Sequence, residues 1–369
     1  MYRFQQIIAL SGEWLEVMSS RNAHFQNFLT KTRTLVCGTC VGIGRNHYGI
    51  GENIYDWVII DEAARSTASE MAIAMLIGRR VLLVGDHQQL PPTYEKDHIK
   101  AAHRKLPDVS ADELARSDFE RSFNSFYGRK VGQKLLTQYR MAKPIGDLVS
   151  TCFYKGELET GRKSVEDVYL TLPSFLGKTV NWVDTSQAGY PAYDKKPNHT
   201  NSNDHSVVND YEANTIINLI QLLTNEKLLL ERLHSVHRED SPIGIICMYS
   251  EQRRLLIRKL NSLSWTRSLL ESRFIKVDTV DSYQGKENEI IILSLVRFNR
   301  EGKEGFLSSE NRANVALSRA KEKLYIVGAS TMWSENNNSS VFGVVYNYIR
   351  DNNEHCAFLD AIKINNKEE

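Results

Sequence analysis

Several absences narrow what this sequence can be before any motif is considered. No apolar run approaches the ~20 residues a helix needs to cross a bilayer. The opening stretch MYRFQQIIALSGEW has no basic start, long apolar segment and small-residue cleavage site, as a secretory signal would. A cytoplasmic protein is expected. Excess charge of either sign is also missing: 46 Lys and Arg stand against 45 Asp and Glu, a net +1, so bulk electrostatics draw in no polyanion and any such contact has to be local. Cysteine is scarce, and 5 in 369 residues make no disulfide framework. Cys37 and Cys40 form a lone CxxC with no second pair at zinc-ligand spacing, and read as small residues beside a strand. There is no repeat of fixed period and no heptad run. What remains is ordinary for a soluble globular chain, 41% hydrophobic and 25% charged. At typical sizes of ~100 to 200 residues per domain, it has room for two.

Short apolar runs that stop at polar or glycine residues alternate with helical stretches, the pattern of parallel strands joined by helical crossovers. The class is therefore α/β. Strands are expected at Thr34–Cys37, Trp57–Ile60, Val81–Val84 and Lys134–Leu136, then at Ile243–Met248, Phe274–Val277, Ile290–Val296 and Leu324–Val327. Two sheets fit these better than one, with a first domain over 1–137, a second over 138–350 and a C-terminal tail over 351–369. Ser186–Ser206 has almost no aliphatic residues and reads as an exposed loop, whereas Asn209–Leu223 and Glu251–Leu260 read as amphipathic helices. Tyr2–Leu29 reads as helix, with Phe4, Ile7, Ile8, Trp14, Leu15, Phe25 and Phe28 as its apolar residues.

The first chemical signal is DWVIIDEAA, Asp56–Ala64, where an apolar strand ends in two adjacent carboxylates. Ligands of open α/β sheets bind beyond the carboxyl ends of strands, which places Asp61 and Glu62 for a nucleotide-bound magnesium and its attacking water. Helix N-terminal capping is the other reading of such a pair. RRVLLVGDHQQLPP then repeats the design, with a strand, an exit at Gly85, and Gln89 held ahead of Pro91 and Pro92 as a candidate sensor of a terminal phosphate. TQYR (Thr137–Arg140), VDTVDSYQGKENEIIILSLVR (Val277–Arg297) and NVALSRAKEKLYIVG (Asn314–Gly328) come after it. A planar, always-charged guanidinium such as Arg319 suits a phosphate, although each arginine alone also reads as a surface ion-pair partner.

Taken in order, DEAA, GDHQQLPP, QYRM, VDTVDSYQGKE and VALSRAK resemble the superfamily 1 helicases of the 1B type, the subgroup of RNA-decay and senataxin-like helicases, across residues 34–330. CGTCVGIG, Cys37–Gly44, looks like that subgroup's nucleic-acid-contacting turn. The resemblance implies two RecA-like parallel-sheet domains gripping ATP and Mg²⁺, and ATP-driven movement on single-stranded RNA or DNA in the 5′ to 3′ direction. It assigns Asp61 to magnesium, Glu62 to the attacking water and Gln89 to the γ-phosphate. Tyr139 would stack on the base, and Arg140 and Arg319 would act as arginine fingers. Gly285 and Glu287 would lie near the phosphates and ribose, and Thr39 and Thr279 would touch the nucleic-acid backbone.

The family's GxxxxGKT phosphate loop is not in the sequence. The sole GKT is Gly177–Thr179, with Leu172 where the loop's first glycine belongs, and it reads as a decoy. The first domain is therefore expected to be incomplete at its N-terminal side. An upstream segment carrying that loop, in the same chain or a separate one, is expected to complete it. A helicase-type ATPase and a non-catalytic helicase-like binding scaffold both remain open. The retained set Asp61, Glu62, Gln89, Arg140 and Arg319 favours the enzyme.

Overall fold

The computed structural model describes residues 2–19, 29–45, 49–94, 96–162, 164–197, 206–237, 241–283, 285–334 and 340–366. Its contacts divide the chain into two compact units, one formed by Met1–His87 with Pro91–Gly132 and the other by Gln88–Leu90 with Gln133–Glu369. No helix among the described residues is long and apolar enough to cross a membrane.

In the first unit, strands β1 (Tyr55–Ile60) and β2 (Gly78–Leu83) pair in parallel. A parallel pair needs a crossover rather than a hairpin, and helix Ala68–Met75 supplies it. Thr67 and Glu70 start this helix with a reciprocal capping box. Ile60 packs with Ala63, Ala64, Met71, Ala74 and Phe119 in a small core, with Val58, Leu83 and Cys40 against it. The opposite face of the two strands is uncovered: Trp57 is 53% exposed, Ile59 64% and Leu82 46%. Helix Tyr2–Ser19 likewise leaves Phe4, Ile7, Ile8, Trp14 and Leu15 exposed. Phe25 and Phe28, also expected in that helix, lie outside the described residues.

The second unit is built on a six-stranded sheet in the order β10-β5-β9-β8-β6-β7. The strands are β5 (Val180–Asp184), β6 (Ile243–Cys247), β7 (Ile275–Thr279), β8 (Asn288–Ser294), β9 (Ala320–Gly328) and β10 (Cys356–Asp360), and all pairs are parallel. A short pair outside the sheet, β3 (Thr137–Gln138) and β4 (Glu159–Thr160), is parallel as well. Strands buried on both faces read as continuous apolar runs, and β6, β8 and β9 are buried almost end to end. Helices Asp210–Asn225 and Ser250–Ser262 fall where amphipathic periodicity places them. The α/β class with parallel sheets, expected of RecA-like domains, is the observed one.

Four expectations change. Thr34–Cys37 is in no strand, and Leu35 is 79% exposed, so its β-forming composition meets no partner. Lys134–Leu136 is not a strand either, because pairing begins only at Thr137. Val180–Asp184 is a strand that the apolar runs do not mark, since Asn181 and Asp184 interrupt it; Asn181 is nonetheless buried and donates to the carbonyls of Lys178 and Leu324. Finally, residues 351–369 are no tail: Cys356–Asp360 is the edge strand beside β5, and helix Ala361–Asn365 comes after it. The GKT at Gly177–Thr179 leads directly into β5. A phosphate loop runs into a helix N-terminus, so this one presents no such cradle. The expected loop Ser186–Ser206 begins with two tight turns, Ser186–Ala188 and Tyr190–Ala192, and its 198–205 part lies outside the described residues.

Beyond the carboxyl end of β8 sits a buried carboxyl. Glu212 accepts hydrogen bonds from Ser294 Oγ at 2.8 Å, the Val296 amide at 2.9 Å and Asn209 Nδ2 at 3.2 Å. Burial raises its pKa to about 8 from an ordinary 4.5, against the opposing pull of the Val296 and Ser294 donors. A carboxyl whose folded pKa is raised holds its proton in the folded state first, so its contribution to stability is complete below about pH 4.5 and is lost as pH rises through about 8. Glu212→Gln should therefore flatten the pH dependence of the second unit's unfolding free energy between those limits. Chemical denaturation of the two proteins across that range measures this directly. Trp182, fully buried in β5 and donating to Gly328 O at 2.9 Å, should cost about 3–5 kcal/mol on replacement by Ala in the same assay.

Candidate functional site

Asp61 and Glu62 lie just past the carboxyl end of β1, both exposed. Asp61 Oδ1 accepts the Glu62 amide at 2.9 Å. Glu62 has φ 53° and ψ 34°, a left-handed conformation that costs energy for a residue with a Cβ. The turn is held to the sheet: the Ala63 amide donates to Val84 O at 2.8 Å, and the Val84 amide to Ile60 O at 2.9 Å. Gly85 lies so close that an added Cβ would stand 2.8 Å from the Ala64 nitrogen. Close approach, rather than the tight chain exit read from the sequence, is what requires glycine there. Magnesium takes hard oxygens, commonly one or two carboxylates completed by phosphate oxygens and water. Two exposed carboxylates at a strand exit are a donor set of that kind, and no larger group of metal-binding side chains is gathered among the described residues. Thr39, at the start of the short helix Cys40–Ile43, is exposed and accepts the Gly42 amide at 3.0 Å.

Within the second unit, Gln88–Leu90 are held by the helix Glu310–Leu317 and by Arg319 just beyond it. Asn311 Nδ2 donates to Gln89 O at 2.6 Å and Asn314 Nδ2 to Gln88 O at 2.9 Å. Arg319 Nη2 donates to Gln89 Oε1 at 2.8 Å, while its Nε is tied to Val315 O at 3.0 Å. Arg319 is buried and sits one residue past the helix cap, at the entry to β9. Gln89 and Arg319, expected to share the terminal phosphate, are thus in direct contact.

A second cluster forms around Glu287. Arg140 Nε donates to its carboxylate and Lys321 Nζ lies 3.0 Å from its other oxygen. Burial pushes the Glu287 carboxyl up, but the Lys321 and Arg140 donors outweigh it and hold the group below its ordinary range. Arg162 fixes the backbone beneath, donating to Arg140 O at 3.0 Å and Lys321 O at 3.1 Å. Beside Arg140, Tyr139 is 71% exposed, and its ring covers Gly161 so closely that a Cβ there would lie 2.5 Å from Cε1. Gly285 has φ +76° in open surroundings. Thr279 ends β7 and donates to Ser282 Oγ at 3.2 Å; its neighbour Asp278 pairs with Arg253 at 3.3 Å and Lys286 at 3.4 Å.

Sequence reasoning misses Asn311, Asn314, Lys321 and Arg162. Asn314 and Lys321 stand inside the NVALSRAK stretch, and an asparagine within the buried run Ala313–Leu317 is a signal that a hydrogen-bond partner is nearby. Arg162 carries no such mark.

Two family models, both described as AAA domains, match the chain, one over residues 114–331 and one over residues 3–97. The DNA replication ATP-dependent helicase/nuclease DNA2 of Mus musculus is 29% identical over 335 residues, covering 85% of this chain and 28% of its own length. The ATP-dependent helicase NAM7 of Saccharomyces cerevisiae is 29% identical over 350 residues, 89% of this chain and 32% of its own. The ATP-dependent helicase upf1 of Schizosaccharomyces pombe is 29% identical over 309 residues, 81% and 29%. The chain therefore spans under a third of the length of these curated relatives. Among solved structures, an arterivirus nonstructural protein 10 helicase in complex with DNA is similar over 79% of this chain and 42% of that one, at 16% identity and a TM-score of 0.37. The contact at Gly85 gives a first test: Gly85→Ala should destabilise the first unit by about 1–3 kcal/mol through overpacking against the acidic turn, read as a lowered denaturation midpoint.

Proposed function

Because this chain belongs to the AAA-domain family and to the superfamily 1 helicases of the group that includes the RNA-decay helicases, we infer that it is the motor part of an ATP-dependent helicase or translocase acting on single-stranded nucleic acid. One observation carries the reading. Gln89 and Arg319, 230 positions apart, meet at 2.8 Å, and two helix asparagines hold the backbone on which Gln89 stands. A scaffold has no need of a glutamine and a buried guanidinium joined in this way.

In this reading Glu62 accepts a proton from the water that attacks the γ-phosphorus as the bond to the ADP oxygen breaks. Gln89 and Arg319 bind the γ-phosphate oxygens, on which negative charge is spread in the transition state, and Arg140 assists. Glu287 and Gly285 border the phosphates and ribose, with Lys321 and Arg162 holding Glu287 and Arg140 in place. Tyr139, exposed and backed by Gly161, stacks on the base. Asp61 would hold Mg²⁺ with the phosphates, and the ion would neutralise phosphate charge. Thr39 and Thr279 each stand at the start of a short helical turn, where hydroxyl and backbone amides suit a nucleic-acid phosphate.

The phosphate loop itself is supplied by a further β–α segment. The uncovered face of Trp57, Ile59 and Leu82 supports this, since a parallel sheet normally has both faces covered. A non-catalytic scaffold is the second reading, favoured by the lack of GxxxxGKT in the sequence. Nucleic-acid-stimulated ATP hydrolysis separates the two, measured with this chain alone and with a segment bearing that loop. The completed protein should turn over ATP and lose at least about a hundredfold on Glu62→Gln. It should lose about a thousandfold or more in kcat on Arg319→Ala. Equal rates for the completed protein and its Glu62→Gln version would leave only the scaffold.

A further inference from the structure

On the second unit, two loops that leave the carboxyl ends of β5 and β8 meet in a cluster of rings and cations. We propose that Tyr190, Tyr193 and Phe298, with Lys195 and Arg300, form a stacking platform for bases of a single-stranded nucleic acid, a contact additional to Thr279. The proposal rests on the reading of the chain as a single-strand motor.

The rings form a continuous set. Tyr193 meets Phe298 edge-on at 4.5 Å, and Tyr190 lies 5.8 Å from Tyr193. Tyr190 is 71% exposed, so its ring gains little from packing. Lys195 stands over the Tyr190 ring at 5.9 Å and Arg300 over the Tyr193 ring at 5.9 Å, and both cations are exposed. Aromatic faces take any base, and cations beside them meet the phosphates that run between bases. The chain as a whole has a net charge of only +1, so a local group of this kind is the form a polyanion contact has to take.

The platform is also held rigid, which an ordinary exposed loop is not. Asp194 accepts from Arg297 Nη1 at 3.3 Å, the Phe298 amide at 3.0 Å and Asn299 Nδ2 at 3.1 Å, and its own amide donates to Phe298 O at 2.9 Å. Asn209 Nδ2 ties Ala192 O at 2.7 Å to Val296 O at 3.1 Å, joining the two loops from below. Lys195 bridges to Val208 on the other side. Val296 is forced to φ +72°, strained for a β-branched residue, and Glu212 holds its amide there. Strain of this kind persists where the surroundings over-determine a conformation, and it concentrates at ligand sites. Because the sheet is parallel, these loops and Thr279 at the end of β7 all leave its carboxyl end. β8 lies two strands from β7 and β5 lies four away, a separation of about 10 to 20 Å at ordinary strand spacing. One strand of nucleic acid covers that distance within a few nucleotides.

The test is equilibrium binding of the full chain to fluorescein-labelled oligothymidylate and to the same backbone without bases, across a salt series. Tyr190→Ala with Tyr193→Ala should weaken binding to oligothymidylate by about five- to a hundredfold for each base unstacked, while leaving the abasic strand unaffected. Tyr190→Phe with Tyr193→Phe should restore it. Arg300→Gln should lower the slope of log affinity against log salt by about 0.7 for one lost phosphate contact. Tyr190→Ala alone removes an exposed ring and serves where the double variant is poorly folded. If the alanine variants bind oligothymidylate as the parent does, while Thr279→Ala weakens it, the platform is wrong and the motor reading stands. If the phenylalanine pair fails to restore binding, stacking is not the interaction and the proposal falls. If the parent chain binds no single strand, both readings fall together.

Discussion

A guanidinium taken out of water has to be satisfied by oxygen acceptors, because an unpaired buried cation costs several kcal/mol. Arg319 is such a group, and its acceptors fix much of what surrounds it. Its Nε is committed to Val315 O, one turn back in the helix, which sets how that helix ends. Its Nη2 is then aimed at Gln89 Oε1. The same helix presents Asn311 and Asn314 to the backbone of residues 88 and 89, so the glutamine side chain and the strand of chain beneath it are positioned by one element. Lysine at 319 keeps the charge but has no planar fork to serve a helix carbonyl and a distant amide together.

The six-stranded sheet sorts the remaining groups by its two ends. Glu287 precedes β8, and Arg319 precedes β9, with Lys321 near the start of that strand. Those groups lie at the amino ends of the strands, whereas Thr279 and the ring cluster lie at the carboxyl ends, after β7, β5 and β8. A sheet buried on both faces is close-packed and deforms little. Strands β8 and β9 therefore hold the groups at their two ends in a fixed mutual arrangement.

Legibility in the sequence obeys the same physics. Strands β6, β8 and β9 are legible through their apolar stretches Ile243–Cys247, Ile290–Leu293 and Leu324–Val327, because a strand covered on both faces keeps few polar residues there, whereas β7, an outermost strand, carries Lys276 and Asp278 and is marked only by Ile275 and Val277. β5 escapes because buried Asn181 satisfies itself on neighbouring carbonyls, which composition does not record. β10 escapes because Phe358 and Leu359 are only partly covered at the sheet's edge. Thr34–Cys37 shows the opposite failure, a β-forming run with nothing to pair with. At the site, ordered motifs identify Gln89, Arg140, Glu287 and Arg319, which the structure gathers into two pairs. The residues that hold them, Asn311, Lys321 and Arg162, stay hidden because a positioning contact depends on tertiary approach and leaves no local pattern.

Backbone strain separates two kinds of strand exit. Glu62 and Val296 are both left-handed without being glycine, and each stands just beyond a strand. At Glu62 the turn is held by the neighbouring amides of Ala63 and Val84, and the residue is exposed. At Val296 both the amide and the carbonyl are seized by buried polar side chains, and the strained residue itself is out of water. The first arrangement presents a carboxylate outward; the second presents nothing of Val296 and instead fixes the course of the loops on either side. An expensive conformation that exhibits no side chain of its own is explained only by what it aims, and what lies next to it is the ring cluster of Tyr193 and Phe298.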